Sequence, residues 1–318
     1  MTQQTLDDVL SLIDSGQTDE GVPLLREIAS TGDPQALFAL ADMTWSGTGI
    51  PQDPERGRLL FEYAASRGHT QANLLVTNLL GNGVAGKRDW ATALHRLQVE
   101  AQKLPGRQRA LDLLRAMDID ANGDPRTTRS AEVVADEPYA RLYREVLTKT
   151  ECAYLIDMAE DGFRPSMVYD NQRQLVRDTI RTSDGAAFHW LIEDPAIHAL
   201  NRRIAAVTGT AYEAGEPLQA LRYCPGQEYR PHFDYVDGAE IQRLWTALIY
   251  LNEDYEGGET AFVRTGVEVK GRTGDVLVFR NTREDGGPEP LAEHSGKPVT
   301  AGTKYLATRW IRASRWIV

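Results

Sequence analysis

Cysteine and histidine are scarce in this chain of 318 residues, which holds two of the first and six of the second. Two cysteines, Cys152 and Cys224, are too few for a disulfide framework, so stability has to come from buried apolar surface. No apolar run approaches the ~18 residues needed to cross a bilayer, which excludes a helical membrane span. Positive charge is also short: 35 Lys and Arg against 46 Asp and Glu leave a net charge of −11, with no basic cluster to offset it. A general nucleic-acid surface is excluded on that ground. The start, MTQQTLDDVLSL, has neither a basic segment nor a sustained apolar one, so no signal peptide is expected. A reduced, cytoplasmic protein is the reading these absences support.

What is present suits a two-domain globular chain, with 42% hydrophobic and 25% charged residues. The first hundred residues repeat themselves with a period near 36. Leu24 and Leu60, Ala29 and Ala65, Gly32 and Gly68, Ala36 and Ala72 are each 36 apart, and the loops SGTGIPQD and LGNGVAGKRD recur between helical apolar patterns. Helix–turn–helix units at such a period predict an α-solenoid over residues 1–117. Residues 118–137 are polar, contain Pro125, lack periodicity and read as a linker. Within them Asp118, Asp120, Asn122 and Gly123 imitate half a calcium loop. Arg129 stands where that loop needs a bidentate acid, so a solvated turn is expected.

Beyond residue 138 the texture changes to two capped helices followed by short apolar strands, which predicts a β-sandwich or jelly roll with helices packed on one sheet. His232 and Asp234 lie two apart on an expected strand, so both side chains point the same way. With the distant His294, expected on a facing strand, they form the ligand set of a facial triad for non-haem Fe(II). Only six histidines occur, and both in the strand region sit at these positions; His69, His95, His189 and His198 are read as having no catalytic role. Lys304, ten residues past His294, is flanked by apolar residues, and a buried ammonium needs an anion. The distal carboxylate of 2-oxoglutarate would supply it. The segment NEDYEGGETAF is read as a hairpin turn that sets register, and Cys224 as packing that points away from the metal.

The repeat loops, with the helix end formed by Ala64, Ala65, Gly68 and Ala72, resemble Sel1-like repeats, relatives of tetratricopeptide repeats. The second half resembles the prolyl 4-hydroxylase family of 2-oxoglutarate- and Fe(II)-dependent dioxygenases. Seven segments carry that likeness in order, among them RTSDGAAF, EPLQALRYCPGQEYRPHFDY, TALIYLNEDYEGGETAF and HSGKPVTAGTKYLATRWI. The resemblance implies an α+β multidomain protein: an N-terminal α-solenoid and, over 138–318, a double-stranded β-helix (jelly roll) with flanking helices. It implies Fe(II), 2-oxoglutarate and O2, with ascorbate as a supporting reductant. It also implies that Tyr223 and Thr246 help Lys304 hold the co-substrate's carboxylate, that Tyr229 and Trp310 line the co-substrate and substrate pocket, and that Arg181 contacts substrate or a lid. The implied reaction is C–H hydroxylation of a prolyl residue in a peptide or protein presented by the repeats. Two alternatives stand beside it: a free amino acid or other small molecule as substrate with the repeats as scaffold, and a non-enzymatic repeat interaction protein. No nucleic-acid or membrane partner is expected, and the oligomeric state is left open.

Overall fold

The computed structural model describes residues 5–169, 175–177 and 179–316. The opening four residues, which bear on the expectation about a leader, lie outside it. Two compact units are present. One comprises the residues up to Asp112 together with Trp190–Pro195; the other comprises Leu113–His189 and Ala196 onward.

The first unit is helical: α1 (Leu6–Asp14), α2 (Thr18–Ser30), α3 (Pro34–Ser46), α4 (Pro54–Ser66), α5 (Thr70–Asn82), α6 (Trp90–Ala101) and α7 (Pro105–Ala116), the last ending past the unit's boundary. Each of α1 to α5 packs on the next in sequence. The 36-residue period is carried by caps as well as by core residues. Asp53 and Asp89 cap α4 and α6, each accepting a hydrogen bond from the backbone N–H three residues on. Asp33 does the same for α3, and His69, 36 residues later, takes its place at α5: the Nδ1 of its ring accepts from the N–H of Ala72 at 3.1 Å. Gly47 and Gly83, again 36 apart, end α3 and α5 in the left-handed region. A Cβ at either would meet the next loop, 2.9 Å from Gln52 Cβ or 2.8 Å from Arg88 Cβ. Leu25, Leu37, Ala64 and Ala72 form the shared core of the first repeats. The chain thus has the helical-repeat architecture expected, and His69 serves it structurally.

The second unit opens with β1 (Ala131–Ala135) and β2 (Ala140–Tyr143), then α8 (Lys149–Ala159), capped by Thr148 and Glu151 acting reciprocally. Next come β3 (Arg164–Pro165), β4 (Met167–Tyr169), β5 (Leu175–Arg177), β6 (Asp184–Phe188) and α9 (Pro195–Thr208). The strands that build the site follow: β7 (Leu218–Tyr223), β8 (Tyr229–His232), β9 (Arg243–Tyr250), β10 (Tyr255–Gly257), β11 (Thr260–Phe262) and β12 (Glu268–Val269). The last are β13 (Val276–Arg280), β14 (His294–Gly296), β15 (Val299–Gly302) and β16 (Lys304–Arg312). An eight-stranded sheet runs β1-β2-β13-β9-β16-β7-β6-β3 and a four-stranded sheet runs β12-β11-β14-β8, with β10-β15 and β4-β5 as separate pairs. Every pairing is antiparallel. Phe262 and Val269 of the smaller sheet share one apolar cluster with Leu248, Tyr250, Leu277 and Phe279 of the larger, so the core lies between the two, as in a jelly roll.

Two expectations need correction. Residues 131–135, read as the end of a linker, form β1, which pairs with β2 as the edge of the large sheet. Their first three side chains are exposed, so no apolar alternation marked the strand. His294 was expected on a strand facing that of His232; it lies instead on the neighbouring strand of the same sheet. The calcium-loop imitation is a turn: the Oδ1 of Asp120 accepts from the N–H of Asn122 and of Asp124. Among the described residues no helix is long and apolar enough to cross a membrane.

Candidate metal centre and co-substrate cleft

β8 ends at His232, directly opposite His294 of β14 in the antiparallel register. Asp234 lies just past the strand end, in a bend, rather than on the strand. Its carboxylate nevertheless reaches both imidazoles, with Oδ1 3.8 Å from Nε2 of His232 and Oδ2 3.7 Å from Nε2 of His294. One ligand atom from each of the three residues falls within 4.8 Å of the others. The far ring nitrogens are tied down: Nδ1 of His232 meets the carbonyl of Arg230 at 2.7 Å and Nδ1 of His294 that of Ala292 at 2.9 Å. A proton on each Nδ1 leaves both Nε2 lone pairs directed at one point, as a metal ligand requires. Burial, followed by the nearby His294, lowers the pKa of His232 to about 4, so that ring is neutral at physiological pH. Burial works against ionisation of Asp234, but His294, His232 and the hydroxyl of Thr246 outweigh it and hold the acid below the usual carboxylate range. Two imidazoles and one carboxylate, with one side open, fit Fe(II).

The triad lies in a cleft also lined by Arg181, Tyr223, Tyr229, Thr260, Lys304, Thr308 and Trp310. Lys304, Leu306, Thr308 and Trp310 alternate along β16, so all four present their side chains to this cleft. Lys304 is buried. Its ammonium donates to the carbonyl of Gly258 at 2.8 Å and lies 5.4 Å from the ring centre of Tyr223, its opposite number on β7. Burial pushes its pKa down to about 8, against the pull of Glu259. A cation so placed, with a carbonyl as its hydrogen-bond partner, suits a carboxylate ligand. Tyr229 stacks on His232 with ring centres 3.4 Å apart, and Arg181 stands over the ring of Tyr229 at 5.6 Å. Among the described residues the indole N–H of Trp310 and the hydroxyl of Thr308 make no hydrogen bond.

Thr246 does not belong with Lys304. It pairs with Trp310, six residues along β16, about 20 Å of strand from Lys304. Its hydroxyl donates instead to Oδ2 of Asp234 at 2.6 Å. A threonine that does share the cleft, besides Thr308, is Thr260, two residues past the carbonyl that holds Lys304. A buried Thr after a Gly-Gly turn was the available signal. Reading GGET as a hairpin alone passed over both Thr260 and the contact made by Gly258. Thr308, midway in the alternation between Lys304 and Trp310, was legible by the same period of two.

Residues 218–312 match the 2OG-Fe(II) oxygenase superfamily. The chain is 36% identical over 210 residues to a probable prolyl 4-hydroxylase 3 of Arabidopsis thaliana, covering 58% of this chain and 73% of that one. The chain belongs to the prolyl 4-hydroxylase family. It is a 2-oxoglutarate-dependent dioxygenase, and the family's set of Fe(II), 2-oxoglutarate and O2 matches the donors in the cleft. Among solved structures, a viral collagen prolyl hydroxylase from Paramecium Bursaria Chlorella virus-1, in a 2OG complex, is 27% identical. It covers 56% of this chain and 98% of that one, with a TM-score of 0.43. A Sel1 repeat protein from Oxalobacter formigenes is 24% identical and covers 36% of this chain and 48% of that one, with a TM-score of 0.31.

Proposed function

We propose that this chain hydroxylates a C–H bond of a prolyl residue in a peptide or protein, and that its helical repeats bind the polypeptide. The observation that carries the reading is the gathering of His232, Asp234, His294 and Lys304 into one cleft, in a chain 36% identical over 210 residues to a probable prolyl 4-hydroxylase.

Each side chain has a task. His232, Asp234 and His294 would hold Fe(II) on one face. Lys304 would pair with the distal carboxylate of 2-oxoglutarate, with the hydroxyls of Tyr223 and Thr260 beside it. Tyr229 and Trp310 wall the cleft and keep water out, and Arg181 would meet substrate. Fe(II) bound with 2-oxoglutarate supplies the oxidising power of dioxygen, with release of succinate and carbon dioxide. The protein contributes binding, orientation and dryness.

Mass spectrometry of the host proteome with and without this gene is the direct test. A gain of one oxygen on proline in specific proteins is expected, and its appearance on a free amino acid would show the small-substrate reading to be correct. For the repeats, the exposed Leu59 and Tyr63, one turn apart on α4, offer an apolar contact. The double change Leu59→Ser and Tyr63→Ser should lower hydroxylation of the protein substrate severalfold while uncoupled succinate release stays as in the wild type. Equal hydroxylation by both proteins would remove this face of α4 from substrate binding.

A further inference from the structure

Behind the metal ligands stands Asn281, which follows β13 and is not among the residues lining the cleft. It is 1% exposed, and its backbone is held on both sides: its N–H donates to the carbonyl of Leu244 at 2.8 Å and its carbonyl accepts from the N–H of Glu289 at 2.9 Å. From this fixed base Nδ2 donates to the hydroxyl oxygen of Thr246 at 2.9 Å. Thr246 in turn donates to Oδ2 of Asp234 at 2.6 Å. The chain of bonds runs in one direction only.

The inventory of protons explains why. A threonine hydroxyl has one proton and two lone pairs, and an ionised carboxylate has acceptors alone. The proton of Thr246 is therefore committed to Asp234, and what remains on its oxygen can only accept. An amide NH2 can only donate. If the amide turned to present its oxygen, two acceptors would compete for one proton, and the carboxylate would lose its bond for part of the time. Oδ1 of Asn281 makes no hydrogen bond among the described residues, so its amide is held through the NH2 end.

We propose that Asn281 is a positioning residue for the metal centre, orienting the hydroxyl of Thr246 so that Asp234 is held facing His232 and His294. The inference rests on the triad as the Fe(II) site. Partners of this kind typically govern metal affinity by ten- to hundredfold.

The test is a titration of Mn(II), a redox-stable probe, into the full-length chain, followed by electron paramagnetic resonance. The variants are Asn281→Leu, Thr246→Val and the two combined, with the visible spectrum of bound Co(II) recorded as a report on coordination geometry. Asn281→Leu is expected to weaken Mn(II) binding about tenfold and to change the Co(II) spectrum. Thr246→Val should weaken binding at least as much, and the double variant no further than Thr246→Val alone, because both act through one hydroxyl. Losses that multiply in the double variant, or an unchanged Asn281→Leu, would overturn the role of Asn281 while leaving the metal centre intact. A wild-type chain that binds no Mn(II) would overturn the metal centre itself. Should Asn281→Leu not fold, Asn281→Ala, which demands no repacking, is judged by the same criteria.

Discussion

The ammonium of Lys304 and the carbonyl of Gly258 are 2.8 Å apart, and the backbone of Gly258 is left-handed, with φ of 67°. The turn therefore does more than reverse the chain: it brings an acceptor to the buried cation. A Cβ at Gly258 would lie 3.1 Å from Cδ of Lys304 and 3.2 Å from Tyr255 and Val299. Gly258→Ala should raise the 2-oxoglutarate dissociation constant about tenfold by displacing Lys304, and the left-handed backbone should cost roughly 1–2 kcal/mol of stability. Mn(II) affinity should not change. Isothermal titration with each ligand separates the two effects.

Lys304→Met, which keeps the length and removes the charge, should be the more severe change. The distal carboxylate of the co-substrate would then be buried without a partner, at a cost on the order of 3 kcal/mol, or about a hundredfold in affinity. An unchanged dissociation constant would assign the carboxylate to another group.

The depressed pKa of Lys304, about 8 against an ordinary 10.5, carries two pH dependences. Below about pH 8 the side chain is charged and ready for a dianion. Above it, binding must take up a proton, so wild-type affinity for 2-oxoglutarate should fall as pH rises past 8 and the Lys304→Met variant should show no such step. Stability moves the other way. Between about 8 and 10.5 the unfolded chain holds the proton that the folded one has lost, so this group's contribution to stability rises with pH across that window. Denaturant titrations of wild type and Lys304→Met at pH 7.5 and 9.5 (both values chosen to bracket about 8) would expose the difference.

His232→Ala, Asp234→Ala and His294→Ala should each abolish turnover of 2-oxoglutarate and leave the far-ultraviolet spectrum of the fold unchanged, because two remaining ligands hold a divalent ion far less firmly than three. Wild-type turnover by any one of them, with Fe(II) in excess, would remove that residue from the metal centre.

In the repeats, His69→Ala should destabilise the first unit by about 1 kcal/mol through loss of the α5 cap. It would also remove a ring that stacks on Phe38 with centres 4.2 Å apart. His69→Asp should restore the cap, since Asp33 already performs it 36 residues earlier. Thermal melts of the three proteins test this, and a loss as large for Asp as for Ala would trace the stability to the stack with Phe38.

Much was written in the chain itself. The 36-residue period needs only neighbours in sequence, so recurring turns and small residues announced the solenoid, and the caps that share its period emerged with the structure. His232, Asp234, His294 and Lys304 were legible because few residue types can bind a metal or neutralise a carboxylate, and their spacing is distinctive. Alternation along β16 said which side chains share a face. It could not say how deep each lies or what stands opposite. That was decided by pairing: β16 sets Thr246 against Trp310, beside the metal ligands and about 20 Å of strand from Lys304, while the turn at Gly258 delivers Thr260 to the cleft in its place. Likewise β14 is three residues long, too short to show a period, and His294 is opposite His232 only through a register that distant strands impose. The sequence specified the donors, and the tertiary structure decided which hydroxyl orders the metal ligands and which faces the co-substrate, because hydrogen-bond partners depend on register between strands far apart in the chain.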